Sequence, residues 1–394
     1  MTERVIKPVG RGFLFLDSHP AGCERLVAEL AEQVEVRSPE RTPVALVVGA
    51  SSGYGLAATI AGLARYGVDG VGVSFEKAPT ARRTATAGWY RTAATAELAD
   101  KLGRSFRFVN ADAFADTTKS DVLDLVEAEY GGVDYLIYSV AAPRRVDPRT
   151  DTTYQSALRS IGAPHRTKSI AFEGTEPVLQ EVEIEAATDD EIAQTVQVMG
   201  GEDWIRWVDA LADRKLLRDD FTTVALTYIG SELTGPIYRQ GSIGAAKAHL
   251  EQTAHELSQR DGVRALTSVN GAAVTQASSA IPGIGLYVSL LHKVLGDRMQ
   301  SPMQQSIALW DQLTGETTPD LDEDGRLRLD RWELDPAVQD AVREQWEAVT
   351  QENIATVADA AWFFAEVRRL YGFDVAGVDY EAPAEVDVDW PAKA

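Results

Sequence analysis

The chain has 394 residues, 45% of them hydrophobic and 25% charged, the balance of a folded soluble protein rather than of a disordered or membrane-spanning one. Its 60 acidic side chains outnumber 38 basic ones, and a net charge of −22 repels nucleic-acid backbones and anionic bilayers alike. One cysteine, Cys23, excludes an intramolecular disulfide and a cysteine-rich zinc site and suits a reducing cytoplasm, while no apolar leader or ~20-residue apolar span points to export or membrane insertion.

Residues 1–40 predict a short strand or hairpin and then an amphipathic helix near Cys23–Gln33, an extension joined to the rest without a flexible linker. From there to residue 275, short apolar β-branched runs alternate with helical patterns. The strands expected are Val44–Val48, Val71–Phe75, Phe106–Asn110, Val133–Ser139, Thr223–Tyr228 and Ala265–Val269; the clearest helices are Ala87–Leu102, Ser120–Tyr130 and Gly244–Ser258. This is the pattern of an α/β chain, a Rossmann-type doubly wound parallel sheet with right-handed crossovers. About 75 residues between Pro143 and Leu217 interrupt it as a long insertion after the fourth strand. Within it, Thr188 and Glu191 have capping-box spacing ahead of a helix through Ile192–Met199. Beyond residue 280 the chain reads as mainly helical. The organisation expected is one enlarged domain: a dinucleotide-binding core over 43–142 and 221–275, the insertion 143–220, and a helical substrate-side region 276–394.

The first strand runs into Gly49, Gly53 and Gly55 and then a helix. Glycine there permits the tight turn and lets backbone N–H groups meet a pyrophosphate at the helix N-terminus. Glu76 follows Gly55 by 21 residues at the end of the second strand, where a carboxylate can accept both ribose hydroxyls of an adenosine and repel a 2′-phosphate. That favours NADH over NADPH, although Lys77 beside it could bind the extra phosphate. Asp112 and Ser139 end the third and fourth strands, the edge where open α/β sheets bind ligands, or else serve as turn caps.

Tyr238 and Lys247 are separated by eight residues. Reduction of an enone passes through an enolate, whose oxygen needs an acid or hydrogen-bond donor. A tyrosine suits that role if a nearby ammonium lowers its pKa, and the lysine can also hold the nicotinamide ribose. On one regular helix the two side chains would point to opposite faces. They converge only if Tyr238 precedes the helix, which Pro236, Gly241 and a capping Ser242 make plausible; the alternative is a core tyrosine and a solvated lysine. Tyr228 ends the fifth strand at the same edge and is assigned to the substrate. Thr275 and the backbone of Val274–Pro282 could meet the nicotinamide carboxamide, or form a plain polar loop.

Taken together, the segments VVGASSGYGLA, SFEK, TAGWY, NADAF, YSVAAPRR, MGGEDW, TYIG, GSIGAAK and VTQASSAIP closely resemble the trans-2-enoyl-CoA reductase and enoyl-acyl-carrier-protein reductase family of the FabV type, over nearly the whole chain. The resemblance implies an enlarged short-chain-dehydrogenase-like fold and NADH-dependent reduction of enoyl-CoA or enoyl-acyl carrier protein in fatty-acid synthesis. It implies Tyr238 as proton donor, Lys247 as a cofactor contact and Tyr228 as a substrate contact. Further cofactor contacts are implied at Gly49, Ala50, Ser51, Ser52, Gly53, Tyr54, Phe75, Glu76, Asp112, Ala113, Ser139, Val140, Val274 and Thr275. Val140 departs from the family's common leucine, which bears on fine cofactor geometry and not on the reaction. A monomer is compatible with this reading. Two alternatives stay open: a 3-ketoacyl thioester reductase of the same fold, and a non-catalytic dinucleotide-binding scaffold.

Other signals are weaker. Asp320, Asp322, Asp324 and Gly325 open like a calcium loop, but Arg331 stands where a bidentate glutamate is required. His19, His165, His249, His255 and His292 lack metal-ligand spacing and read as surface or capping residues. In the family's fold the helix after Ile281 would line the acyl pocket, with Ile281, Leu286 and Leu290 as candidates. Arg144, Arg145, Arg149, Arg159, Arg166 and Lys168 concentrate basic charge in the insertion, either to attract a CoA or carrier-protein anion or as a solvated face of local salt bridges.

Overall fold

A computed structural model describes residues 3–37, 41–276 and 281–391. Helix α1 (Pro20–Glu32) starts on Pro20, with His19 as its cap accepting the Gly22 N–H at Nδ1. The core then alternates β1 (Val44–Val48), α2 (Gly53–Tyr66), β2 (Asp69–Ser74), α3 (Ala87–Lys101), β3 (Phe106–Asn110), α4 (Asp116–Glu129) and β4 (Val133–Tyr138). The insertion holds a small ribbon pairing Arg144–Val146 with Thr153–Gln155, a hairpin of β5 (His165–Glu173) and β6 (Glu176–Ile184), and helices α5 (Asp189–Met199) and α6 (Glu202–Asp213). The expected capping box is present: the Thr188 hydroxyl accepts the Glu191 N–H at 3.2 Å, and the Glu191 carboxylate accepts the Thr188 N–H at 2.9 Å. After it come β7 (Leu217–Thr227), α7 (Gly235–Tyr238), α8 (Ser242–Ser258), β8 (Arg264–Val269), α9 (Ile284–Leu295), α10 (Pro302–Leu313), β9 (Leu327–Arg328), α11 (Pro336–Ala348), α12 (Ile354–Val357) and α13 (Ala360–Arg369).

The main sheet has seven strands in the order β9-β8-β7-β4-β1-β2-β3, every neighbouring pair parallel. Strand order reverses between β1 and β4, which opens a crevice at their carboxyl ends. Burial on both faces explains the unbroken apolar runs, with all five residues of β1 buried. One face packs under α2 and α10, where Trp310 stacks on Tyr66 at 5.6 Å. The other packs under α6 and α8 around Trp204 and Trp207, neither exposed at all. Each such side chain contributes about 2–3 kcal/mol of burial. A third apolar cluster surrounds α9 and joins the insertion hairpin to α11 and α13. Among the described residues no helix is long and apolar enough to cross a membrane.

The differences from expectation have local causes. Strand β7 begins at Leu217 instead of Thr223, with a register shift between Leu217 and Thr222 where two aspartates hide the periodicity. Strand β2 stops at Ser74, leaving Phe75 outside it and 75% exposed. The β5–β6 hairpin pairs nine residues on each side but is mostly half-exposed, so it lacks an apolar alternation to announce it. Strand β9 is two residues long, too short for any periodicity.

Candidate active site

At the carboxyl end of β1 the chain turns through Gly49, whose φ is +96° and where a Cβ would stand 2.2 Å from the Ser139 carbonyl oxygen. The N–H groups of Gly49 and Ala50 both bond the Val73 carbonyl, at 2.8 and 3.1 Å, and tie the turn to β2. Ser52 caps α2 without a side-chain bond, and the first bond into the helix runs from the Leu56 N–H to the Ser52 carbonyl at 3.2 Å. The N–H groups of Gly53, Tyr54 and Gly55 therefore open onto the turn with the helix dipole behind them, a fit for a pyrophosphate.

Glu76 follows β2 on the same edge. The Ser51 hydroxyl donates to its Oε1 at 2.6 Å and the Thr86 hydroxyl to its Oε2, while Asn110 bonds its backbone N–H at 2.7 Å. The carboxylate is aimed by these bonds and retains lone pairs for ribose hydroxyls. Phe75 beside it offers an exposed ring face. Asp112 and Ala113 follow β3, where one Asp112 oxygen accepts the Phe114 N–H at 3.0 Å, so it does cap a turn at this edge. These residues and the glycine turn all follow the carboxyl ends of neighbouring parallel strands.

Tyr238 ends the short helix α7, and the break at Arg239–Gly241 separates it from Lys247 in α8. Both line one cavity of about 290 Å3, together with Ser52, Gly53, Tyr54, Ser139 and Val140 from the dinucleotide side. Tyr228 and Thr275 line it as well, and the Tyr228 ring meets the Tyr238 ring edge to face at 4.7 Å. The expected interruption of the helix is there, but its chemistry differs. Ser242 is the first helical residue and Gly241 the cap; the Ser242 hydroxyl instead donates to the Ala157 carbonyl and accepts the Arg159 N–H at 3.1 Å, pinning the break to the insertion.

Electrostatics also correct one expectation. Burial raises the Tyr238 phenol well above its ordinary pKa, with the Glu333 charge adding to the rise, so no ammonium pulls it down. The group stays protonated at neutral pH, as a donor must. Burial lowers Lys247 to about 8, opposed only by Glu251, and no hydrogen bond among the described residues reaches its Nζ.

One apolar wall of the cavity is Met199 from the insertion with Ile281, Ile284 and Val288. Of the three acyl-pocket candidates, Ile281 lines this cavity, whereas Leu286 and Leu290 lie in the core with no exposure. The lining residues Ile284 and Val288 are spaced i, i+4, the helical signal that finds them once the correct face is known. Val274 lies on an adjoining cavity that shares Gly53, Ala272 and Ala273. Ala277–Ala280 of the same segment fall outside the described residues. Glu333 was not anticipated: it is fully buried behind Tyr228, and nothing local in the sequence marks it.

Most of the basic cluster of the insertion is paired locally, the arrangement expected of a solvated face of salt bridges. Arg145 is buried, bonded to Glu202 and to the Gln197 carbonyl; Arg149 also pairs with Glu202, Arg159 with Glu191 and Arg166 with Glu183. Lys168 donates to the carbonyls of Trp346, Glu347 and Val349 at the end of α11. Arg149 and Arg166 remain exposed in their pairs, and Arg144 is exposed with no side-chain partner among the described residues. The calcium-like loop is likewise neutralised: Arg331, at the position a glutamate would need, pairs with Asp320, while Asp322 takes Arg326 and Arg328. His19 and His249 accept backbone N–H groups, and His292 bonds Asp359 at 2.7 Å. Among the described residues no cluster of three His, Cys, Asp or Glu could hold a metal.

Three family models cover most of the chain: the NAD(P)H binding domain of trans-2-enoyl-CoA reductase over residues 5–81, the trans-2-enoyl-CoA reductase catalytic region over 83–314, and an enoyl reductase FAD binding domain over 321–384. An enoyl-[acyl-carrier-protein] reductase [NADH] of Streptomyces avermitilis is 60% identical, covering 98% of this chain and 100% of its own, and one of Burkholderia pseudomallei is 46% identical over 98% and 99%. The trans-2-enoyl-CoA reductase of Treponema denticola, solved with NAD, superposes with a TM-score of 0.91 at 37% identity over 99% of this chain and 100% of that one. That of Clostridium acetobutulicum, solved with NADH, gives 0.90 at 35% over 98% of each.

The residues of 321–384 do not fit a flavin dinucleotide. Helix α11 begins on Pro336, which has no N–H, and the Asp335 carboxylate already accepts from Ala337 and Val338. Helix α13 follows Asp359, a second carboxylate, paired with His292 and Lys293. The donors at the start of α11 are already taken, the Asp359 carboxylate at the start of α13 would repel a pyrophosphate, and the apolar faces of both helices are buried against α9. No step of the chemistry is therefore routed through a flavin.

Proposed function

The chain belongs to the trans-2-enoyl-CoA reductase family, whose reaction is the NADH-dependent saturation of a 2-enoyl thioester, and on that premise we propose that Tyr238 is the acid of the reaction and Lys247 its cofactor-holding partner. When bound, NADH supplies a hydride to the β-carbon. The residues do the rest. Tyr238, held protonated by burial, donates to the thioester oxygen as negative charge develops there, then supplies or relays the proton for the α-carbon. Lys247 directs its ammonium to the nicotinamide ribose, with Ser139, Val140, Val274 and Thr275 around that end of the cofactor. Glu76, Phe75, Asp112 and Ala113 would hold the adenosine, and the turn from Gly49 to Tyr54 would hold the pyrophosphate. Tyr228 faces the substrate, and Ile281, Ile284 and Val288 exclude water around the acyl chain.

The observation that carries this reading is the convergence of Tyr238, Lys247 and the α2 turn on one cavity across the break at Arg239–Gly241. All these groups come from one chain, so a monomer suffices. The chain is taken as one enlarged domain whose insertion and helical C-terminal region close the substrate side. The lone buried cysteine suits a reducing cytoplasm. The local pairing of the basic cluster bears equally on both thioester carriers, and crotonyl-CoA serves as the test substrate. Loss of NADH absorbance with crotonyl-CoA tests the assignment: Tyr238→Phe is expected to lower kcat by about 10²-fold or more while NADH still binds. Parent-like turnover in that variant would remove Tyr238 from the mechanism.

A further inference from the structure

Directly behind the cavity wall lies a carboxylate that the hydride transfer leaves unused. Glu333 sits on the turn between β9 and α11 with no exposed surface. Its Oε1 accepts the hydroxyls of Tyr228 and Tyr287, each at 2.8 Å, and its Oε2 accepts the Ala272 N–H at 2.5 Å. Gln339 braces the group from α11, donating to the Tyr287 hydroxyl at 3.1 Å and to the Glu333 carbonyl at 2.6 Å. Among the described residues no cation pairs with it.

A buried carboxylate without a cation works against folding, and burial pushes this one up to about 7 although its three hydrogen bonds pull the other way. What the group does is join three segments that meet at the site. Tyr228 ends β7 and carries the ring against which Tyr238 rests. Tyr287 belongs to α9, whose Ile284 and Val288 face the acyl chain. Ala272 belongs to the loop after β8 that lines the nicotinamide side of the cavity. We propose that Glu333 is a positioning residue for the reduction, accepting Tyr228, Tyr287 and the Ala272 N–H together so that the seat of Tyr238, the acyl wall and the cofactor loop are held in one register. This rests on the reading that Tyr238 is the acid.

Facing Glu333 are Tyr54 from α2, Tyr228 from β7, Tyr238 from α7, Tyr287 from α9, and Asp330 from its own turn, the last bonded to Arg328 at 2.7 Å. Burial raises all four phenols, so Glu333 is the member that changes charge near neutrality. Ionised, it accepts all three donors; protonated, one oxygen becomes a donor and a partner is released. The parent enzyme is thus expected to lose kcat on the acid side with a midpoint near 7.

The test is the pH profile of crotonyl-CoA reduction, with NADH affinity from fluorescence titration. Glu333→Gln is expected to lower kcat about tenfold at pH above ~8, to abolish the acid limb and to leave NADH affinity within about threefold. Tyr287→Phe removes one donor and is expected to move the acid midpoint upward, which decides the matter if Glu333→Gln does not fold. A parent-like acid limb in every variant that folds overturns the proposal. Should Tyr238→Phe be inactive while Glu333→Gln keeps the parent kcat and profile, the positioning role alone falls. Should Tyr238→Phe stay active, the underlying reading falls instead.

Discussion

Lys247 is half-buried on the cavity wall, and desolvation brings its pKa down to about 8 from the usual 10.5. Between those values the folded chain has released a proton that the unfolded chain keeps, so this group's contribution to stability rises with pH across that window, and below about 8 the ammonium is retained at a cost. Bound cofactor hydroxyls would offset that cost. NADH affinity is therefore expected to be highest below pH about 8 and to weaken above it, in titrations of NADH fluorescence at stepped pH; Lys247→Met should flatten the profile, and an unchanged slope would count against the contact. Glu76 is held by Ser51 and Thr86, and the adenosine contact proposed for it sets its charge against a 2′-phosphate. Glu76→Ala is expected to remove about 1–2 kcal/mol of repulsion and raise the NADPH-to-NADH ratio of kcat/KM about five- to thirtyfold, with Lys77 adjacent to receive the phosphate. An unchanged ratio would mean that the carboxylate does not discriminate.

The break between α7 and α8 decides whether Tyr238 and Lys247 line one cavity. Gly241 is its pivot: a Cβ there would lie 2.6 Å from the carbonyl oxygens of Arg159 and Ile237, whereas one on Gly235 would meet nothing within 4 Å. Gly241→Ala is expected to lower both Tm and kcat/KM while Gly235→Ala keeps the parent Tm, and two equally stable variants would show that the break is not tightly packed. The insertion holds the same pivot from outside, through Ser242 bonded to Ala157 and Arg159. Its own anchor is Arg145, buried and shared between Glu202 and the Gln197 carbonyl. Arg145→Ala leaves Glu202 partly exposed and still paired with Arg149, so the expected loss is about 3 kcal/mol, at the low end for breaking a buried pair, read as a shift in denaturation midpoint.

Over the whole molecule, a net charge of −22 coexists with a basic segment whose charges are mostly consumed by neighbouring acids. Neutralising Arg149 and Arg166 together should leave the KM for crotonyl-CoA and its salt dependence within about twofold of the parent, because screened surface pairs contribute little; a steep rise in KM would favour the docking reading. The dinucleotide end was readable because its determinants are local: a glycine turn, a helix start and Glu76 all lie within one strand-helix-strand unit, where backbone geometry follows from residue type. The capping box at Thr188 was readable for the same reason. Tyr238 and Lys247 could be named together, with the condition that a helix must break between them, but their place on one cavity rests on a break held by the Ser242 hydroxyl, bonded to the insertion about 80 residues earlier. The face of α9 that lines the cavity, the fate of the basic cluster and Glu333 were likewise settled only by tertiary structure. Each depends on which distant group ends up opposite a side chain: Leu286 and Leu290 are as apolar as Ile284 and Val288, and a lone glutamate near residue 333 is unremarkable until Tyr228, Tyr287 and Ala272 close around it and exclude the water that would have solvated its charge.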